Sequence, residues 1–548
     1  VSGGIGVLIP AVFATAGNGT WLAYVFAIVA LLFSSWSISV FARDSASPGA
    51  LYAYVSAGIG PIWGAICGWS LLIAYAVAAA GILQGTINTF LVLGRETGLL
   101  GSATPVGTVL GLTIVTAFAA WYIAFRDIRL STRFTLLVEL ATLLLIAGVV
   151  IATIAFGTHP VDRAQLTLEG VKPTQRQLGM VLAFFSFTGF ESATVLGAEA
   201  RDPFRAIPRA VLISVVGPAI LFVIGAYGMV SAFHGQTPPL DRVDGSLAVL
   251  AHRLGAGWIG VLIDAGVALS FFAAFFSSIN AAARIVYTFG RQGVLHASTG
   301  RAQATNATPH VAVALIAALA LATALVLTAR GTALLDSYGY LSSIATYGWL
   351  LAYVLVAIGA PLYLHRQRKL RARHVAISIV AVVLLAIPLA GSVYAVPEGV
   401  YACLPYVFVA AGDRARVVSG AARPVSGTVA RAGSRTADEV IALHRRRVQS
   451  VMCVTAGSVA PAGRFHFSHT RGHYATPAIF DASTTICTPR PPRIRPIAQR
   501  CASSSIGRPC RNFAMLLEQI ATSPFADANA AISSEPRNSD WPNTLPCR

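Results

Sequence analysis

The sequence predicts an all-α, polytopic membrane protein. Hydrophobic residues make up 55% of its 548 positions and charged residues only 11%, against about 25% charged in soluble domains. Mean hydropathy is +0.68. Apolar runs of bilayer-spanning length recur along the first three-quarters of the chain, and Lys and Arg gather in alternate short connections between them. Roughly 20 apolar residues cross a hydrocarbon core, where runs of about 10–14 usually do not.

Taken in order, helices are expected near 21–42, 61–92, 106–125, 134–157, 179–198, 208–232, 257–289, 309–329, 333–364 and 374–394, after a partial one at 3–17 and before an incomplete one near 400–411. One set of connections carries Arg126, Arg129 and Arg133, then Arg201, Arg205 and Arg209, then Arg284, Arg291 and Arg301, then HRQRKLRARH from His365 to His374. The opposite set holds sparse charges such as Arg95, Lys172 and Arg330. Basic residues accumulate on the cytoplasmic side of short loops, which places the first set in the cytoplasm of a multi-pass protein of the cell membrane. The formal net charge of +18 is then a topology signal and an attraction to anionic lipid rather than a nucleic-acid footprint.

Both ends depart from this pattern. The chain opens at VSGGIGVLIP, already apolar and glycine-rich, with neither an initiating Met nor a basic flank; the expectation is a fragment lacking the first half of its first helix. It lacks the charged start of a cleaved signal. YACLPYVFVA, Tyr401 to Ala410, starts like another span and stops halfway. Residues 412–548 are rich in Arg, Pro, Ser and Thr and contain no Lys, the composition of a mostly disordered tail. This tail is read either as out of frame or as a regulatory tail, cytoplasmic if the last helix is completed. Within it NFAMLLEQIA, Asn512 to Ala521, has the pattern of a short amphipathic helix, marginal in isolation. Five of the seven cysteines lie after residue 450 with no CxxC pair, so neither a metal site nor a disulfide framework is expected.

The chemistry centres on FSFTGFES, where Ser186, Thr188, Gly189, Glu191 and Ser192 interrupt an apolar run. A charged residue at mid-bilayer costs about 2.5–3.5 kcal/mol on insertion scales, so Glu191 must face protein or water. Gly189 either opens the backbone, freeing carbonyls that need partners, or lets two helices approach closely. A second interruption, SGGIG at Ser2 to Gly6, puts three glycines in five residues near the start of the first half, and FSFTGFES opens the second half after five spans. Paired breaks at matching positions point to an inverted-repeat transporter with a site near the midplane.

The run GFESATVLGAEARDPFRAIPRAV resembles the sixth helix and following loop of the amino acid-polyamine-organocation superfamily. Further matches are SINAAARIVYTFGRQGVLH from Ser278 to His296, Thr308–Pro309, SASPGALYAYVSAGIGPIWGAICGW from Ser45 to Trp69, and YGYLSSIATYGWLLAYVLVAIGAPLYL from Tyr338 to Leu364. The resemblance covers residues 1–410. It implies two inverted five-helix repeats, a LeuT-like fold, followed by one or two further helices within 1–411. It also implies that an amino acid's carboxylate meets amides of the first broken helix, here Ser2, Gly3, Gly4, Ile5 and Gly6. The ammonium would meet carbonyls around Phe187, Thr188 and Gly189, with Glu191 serving the substrate's charge or holding the break. Electropositive helix starts and exposed carbonyls suit those two groups.

Phe190 then gates the side-chain pocket or simply packs. Tyr75 in the third helix and Ser277, Ser278 and Asn280 in the eighth complete the cavity or join helices. Glu139 lies where relatives often carry a charged residue, a lysine in some that couple transport to protons. It is either a proton-coupling acid or one satisfied by hydroxyls such as Ser131 or Thr135. Glu199, Arg201, Asp202, Arg205 and Arg209 form a mixed-charge cluster suited to an inner gate, which Asp44 to Pro48 could join, and Pro208 suits the first turn of the next helix.

The function expected is secondary transport of an amino acid by alternating access, proton-coupled or by exchange. Polyamine or another organic amine is the alternative substrate, and a non-functional truncated product the alternative outcome. A sensor or channel on the same scaffold would show similar breaks, and saturable uptake separates them. An enzyme would need a nucleophile with its base, or clustered ligands, and the spans offer almost no His and no acidic pair at helical spacing; His466, His469 and His473 lie in the tail. No cofactor is expected.

Overall fold

Apolar side chains with no β-branched or aromatic alternation force these segments to satisfy their backbone internally, and the chain does so with helices. A computed structural model describes residues 1–45, 50–101, 103–126, 132–156, 162–171, 173–198, 200, 202–303, 308–394 and 399–420. The expectations for Arg129, Glu199, Arg201, Lys172, Pro48 and the tail beyond 420, with its 512–521 segment, fall outside them.

Among the described residues, nine helical segments are long and apolar enough to cross a membrane. A π-helical turn, Gly4–Leu8, leads into α1, Ile9–Ala16; α2 is Thr20–Ala42, and the short α3, Ala50–Gly58, precedes α4, Pro61–Glu96. Then follow α5, Val106–Phe125; α6, Thr132–Phe156; the four-residue α7, Arg163–Leu166; and α8, Pro173–Phe185. A 3₁₀ segment, Phe190–Ala198, continues α8 after a turn. The second half adds α9, Pro203–Ala232; α10, Ser246–Arg253; α11, Gly257–Arg291; α12, His310–Ala329; α13, Leu334–Arg366; α14, Ala372–Tyr394; and α15, Leu404–Gly420.

The order fits a five-plus-five plan. The interrupted first segment and the interrupted α8 segment open the halves, the long α4 and α11 stand third in each, and α5 and α12, 20 residues apiece, stand fourth and pack on each other. The span expected at 179–198 is thereby split: α8 is only 13 residues long and stops at the break. The helix expected from 208 begins at Pro203, because Asp202 ends the preceding bend and Pro203 takes the first helical position, leaving Pro208 inside.

At the centre α4 packs on α13 and α11. Small residues permit it: a Cβ at Gly348 would lie 2.5 Å from the Ser70 carbonyl oxygen, and one at Gly68 would lie 2.6 Å from the Phe289 ring. Helices in lipid gain little from hydrophobicity and depend on such close fits. The outer faces are apolar and open instead, with Val115 and Phe118 on α5 and Leu136, Leu137 and Leu144 on α6 all exposed. In a bilayer these faces meet acyl chains. The arrangement is that of an all-α, multi-pass membrane protein.

Candidate functional site

The interruption in the second half begins where α8 loses its ladder. Ser186, Phe187 and Thr188 donate their amides to the carbonyls three residues back, Ala183, Phe184 and Phe185, and the Thr188 hydroxyl adds a bond of 2.7 Å to the Phe185 carbonyl. Gly189 then takes φ +92°, with nothing within 4 Å of where a Cβ would sit. Its role is conformational, since L side chains rarely adopt that backbone, and it mediates no close helix approach. After it Ser192 donates to the Gly189 carbonyl. The carbonyls of Ser186, Phe187 and Thr188 receive no backbone N–H from the described residues.

Glu191 holds this break in place. It is 2% exposed and accepts four hydrogen bonds: the Tyr75 hydroxyl at 2.6 Å and the Trp349 indole at 2.9 Å on Oε1, the Tyr353 hydroxyl at 2.7 Å and the Gly189 amide at 3.1 Å on Oε2. A carboxylate has about four acceptor positions, and these donors fill them. Glu191 therefore ties the turn to α4 and α13 and points away from the central cavity.

The first interruption is milder than expected: it is a π-helical turn, not an unwound strand. Ser2 turns outward to α6, donating its amide at 2.8 Å and its hydroxyl at 2.9 Å to the two carboxyl oxygens of Glu139. The acid is thus satisfied by the first helix. Gly3 and Gly4 are glycine for want of room, since a Cβ at either would meet the rings of Phe271 and Phe222 at 2.9 Å. Phe271 also fills the space beside Gly85 of α4.

Between the two interruptions lies a cavity of about 280 Å³, near the small end of ligand pockets. Of the residues singled out in the sequence, Gly3, Gly4, Tyr75, Ser186, Thr188, Gly189, Ser192, Ser277 and Ser278 line it. The others do not. Ile5 packs toward Gly225 and Gly6 toward Val267, while Phe187 stacks against Phe222 at 4.9 Å. Phe190 packs on Tyr353 at 5.2 Å, a wall contact rather than a gate over the cavity. Asn280 donates to the Phe276 carbonyl of its own helix. The structure adds Phe185, Phe271, Tyr338 and Trp349 as aromatic walls, with Ser270 beside them. No lining side chain among the described residues is charged.

At the arginine-rich end, Arg205 and Asp202 are exposed and 3.9 Å apart, a pair of little energetic weight, and Arg209 is exposed. The firmer contacts there involve Asp44, expected as part of this cluster, with partners that were not: Gln367 donates to Asp44 at 3.2 Å and Arg366 to the Ala57 carbonyl at 2.8 Å. At the other end a strap, Asp162 to Val171, crosses the α1–α2 turn. Trp21 donates to the Gln165 carbonyl and Asn18 to the Glu169 carbonyl; Asp162 caps α7, accepts from Gln165 and lies 3.2 Å from His234.

A bundle with two interrupted helices facing one uncharged cavity is the architecture of a membrane carrier for a small molecule. The chain belongs to the amino acid permease family, whose model matches residues 1–410, within the superfamily that its motifs resemble. It is 25% identical over 325 residues to the branched-chain amino acid permease BcaP of Bacillus subtilis, covering 56% of this chain and 68% of that one. To the low-affinity putrescine importer PlaP of Escherichia coli it is 26% identical over 311 residues, 55% of this chain and 65% of the importer. An uncharacterized transporter of Mycobacterium tuberculosis is 25% identical over 338 residues, 61% and 72% of the two chains. The matches thus span about two-thirds of these relatives.

Proposed function

We propose that the chain is a secondary transporter that carries a neutral amino acid across the cell membrane by alternating access, with its arginine-rich connections in the cytoplasm. The observation that carries this reading is the uncharged cavity between the two helix interruptions. An amino acid brings one carboxylate and one ammonium on adjacent atoms, and backbone suffices for both. Its carboxylate would approach the backbone of Gly3 and Gly4 at the first interruption, and its ammonium the carbonyls of Ser186, Phe187 and Thr188. The side chain would lie against Phe271, Tyr338 and Trp349.

The same observation disfavours a polyamine. A second ammonium remote from the first would need an acidic partner in the cavity, and Glu191 is already committed to four donors. The relative named for branched-chain amino acids suits aromatic and aliphatic walls better than the one named for putrescine.

Proton coupling through Glu139 belongs to this reading. Protonating that carboxyl would remove one acceptor from the Ser2 amide and hydroxyl and loosen the start of the first helix. On the cytoplasmic side, the Asp44–Gln367 and Arg366–Ala57 contacts would part as the bundle opens. Uptake into proteoliposomes, with and without an inward proton gradient, tests the whole. Saturable uptake of leucine or alanine, competed by other neutral amino acids and lost in Gly189→Leu, is expected. Uptake of putrescine in preference to either would overturn the substrate class, and a Glu139→Gln protein as gradient-dependent as wild type would remove Glu139 from coupling.

A further inference from the structure

A second group of buried polar atoms lies away from the cavity, at the end of the bundle opposite the Asp44–Gln367 contact. Glu96 closes α4, Asp264 sits two turns inside α11, and Gly245 precedes α10 with φ +65°. The space that a Gly245 Cβ would fill is 3.2 Å from Asp264 Oδ2 and 3.4 Å from Glu96 Oε1. A side chain there would press on both carboxyls and clash with Val92 at 2.9 Å. The two come within hydrogen-bonding reach of each other, yet Glu96 Oε2 and Asp264 Oδ2 are both buried with no donor. Asp264 is 6% exposed.

Among the described residues, no arginine or lysine is paired with either carboxyl. Arg95 is drawn off to Asp244 at 3.4 Å. From α10, His252 when protonated favours the ionised form of Glu96, which leaves a shared proton to Asp264. Helix α5 carries no charged residue, and His310 of α12 is at the opposite end. In α6, Glu139 is bonded to Ser2; in α13, Asp336 acts on Tyr340 and Tyr401. Two carboxylates side by side in low-dielectric surroundings repel strongly, and such pairs resolve the conflict by keeping a proton.

We propose that Glu96 and Asp264 hold one proton between them, forming a proton-binding site that joins α4 to α11 beside the start of α10. The shared proton turns one carboxyl into a donor and the other into its acceptor, which supplies a donor to a pair that otherwise holds only acceptors. Its release replaces a hydrogen bond by repulsion between the ends of two central helices. The unfolded chain has no such pairing, so the folded state binds the extra proton and loses stability as the pH rises through its release.

Infrared difference spectroscopy and thermal unfolding of the full-length protein in nanodiscs test this without any substrate, so transport can fail while the site stands. The wild type should show a protonated-carboxyl stretch that shifts in D₂O and disappears in both Asp264→Asn and Glu96→Gln. Its unfolding midpoint should fall by at least about 3 °C from mildly acidic to mildly alkaline pH, and Asp264→Asn, whose amide donates permanently, should flatten that fall. If the variants do not fold, the wild-type band and its pH dependence decide alone: no such band at any pH where the protein is folded overturns the site. A band unchanged in both variants, or a midpoint restored at alkaline pH by Na⁺ or Ca²⁺, overturns it equally, the latter in favour of a metal cation.

Discussion

Glu191 spends every acceptor position on two phenols, an indole and a backbone amide, and that saturation makes it sensitive to the mildest change. In Glu191→Gln one oxygen becomes an NH₂ group facing donors, of which the Trp349 indole can only donate. Leaving a buried donor unpaired costs about 1–3 kcal/mol, so a lower unfolding midpoint is expected, with uptake reduced alongside it. Tyr353→Phe should cost less, since three donors remain, and the two substitutions should combine non-additively in a double-mutant cycle. Gly189→Ala faces no clash, only a backbone conformation that costs an L residue about 1–2 kcal/mol. Adding a methyl to open space should therefore impair uptake more than Gly4→Ala impairs it per kcal/mol of stability lost. At this scale the sequence was readable where polarity stood out against an apolar background, as with Gly189, Glu191 and the serines of α11. Phe271, Tyr338 and Trp349 were not, because an aromatic residue on an apolar helix carries no mark that separates a cavity wall from ordinary core.

Whole elements show the same division. Apolar runs of bilayer length located α2 and α5 within a residue, whereas α3, α7 and α10 are too short to stand out as such runs and were missed. The break in α8 was legible from its glycine, but its geometry was not: the hydroxyl of Thr188 and the amides of Ser186 and Phe187 fold back on the helix they end, a local choice that no spacing reveals. Glycines Gly3 and Gly85 make room for one ring from opposite sides, so Gly3→Ala should disrupt packing and lower uptake at least tenfold. Phe271→Leu in the same protein, by shrinking the ring, should recover part of that loss; no recovery would mean that Gly3 matters for another reason. The strap across the α1–α2 turn depends on Asp162 as a helix cap, and Asp162→Ala should cost about 1 kcal/mol, read as faster hydrogen exchange over residues 162–171.

For the molecule as a whole, the exposed apolar flanks of α5 and α6 and the close-packed α4, α11 and α13 describe a carrier with a rigid middle and a lipid-facing rim. An arginine at Leu144, midway along the exposed face of α6, should add about 2.5–3.5 kcal/mol to insertion and lower the yield of membrane-inserted protein. The same yield after Leu144→Arg as in wild type would show that this face is not turned to lipid. The positive charge that the composition places in short connections has its complement here: among the described residues, no side chain that lines the cavity is charged.

Trp349 presents its ring to the cavity while its indole nitrogen is bound to Glu191, and it stacks edge-on to Tyr75 at 5.1 Å. The protein consequently contains its own optical reporter. A solute entering the cavity changes the polarity around that indole, and a turn that shifts Glu191 changes its hydrogen bond, so intrinsic fluorescence should register occupancy and rearrangement as two separable spectral changes, both absent from Trp349→Phe.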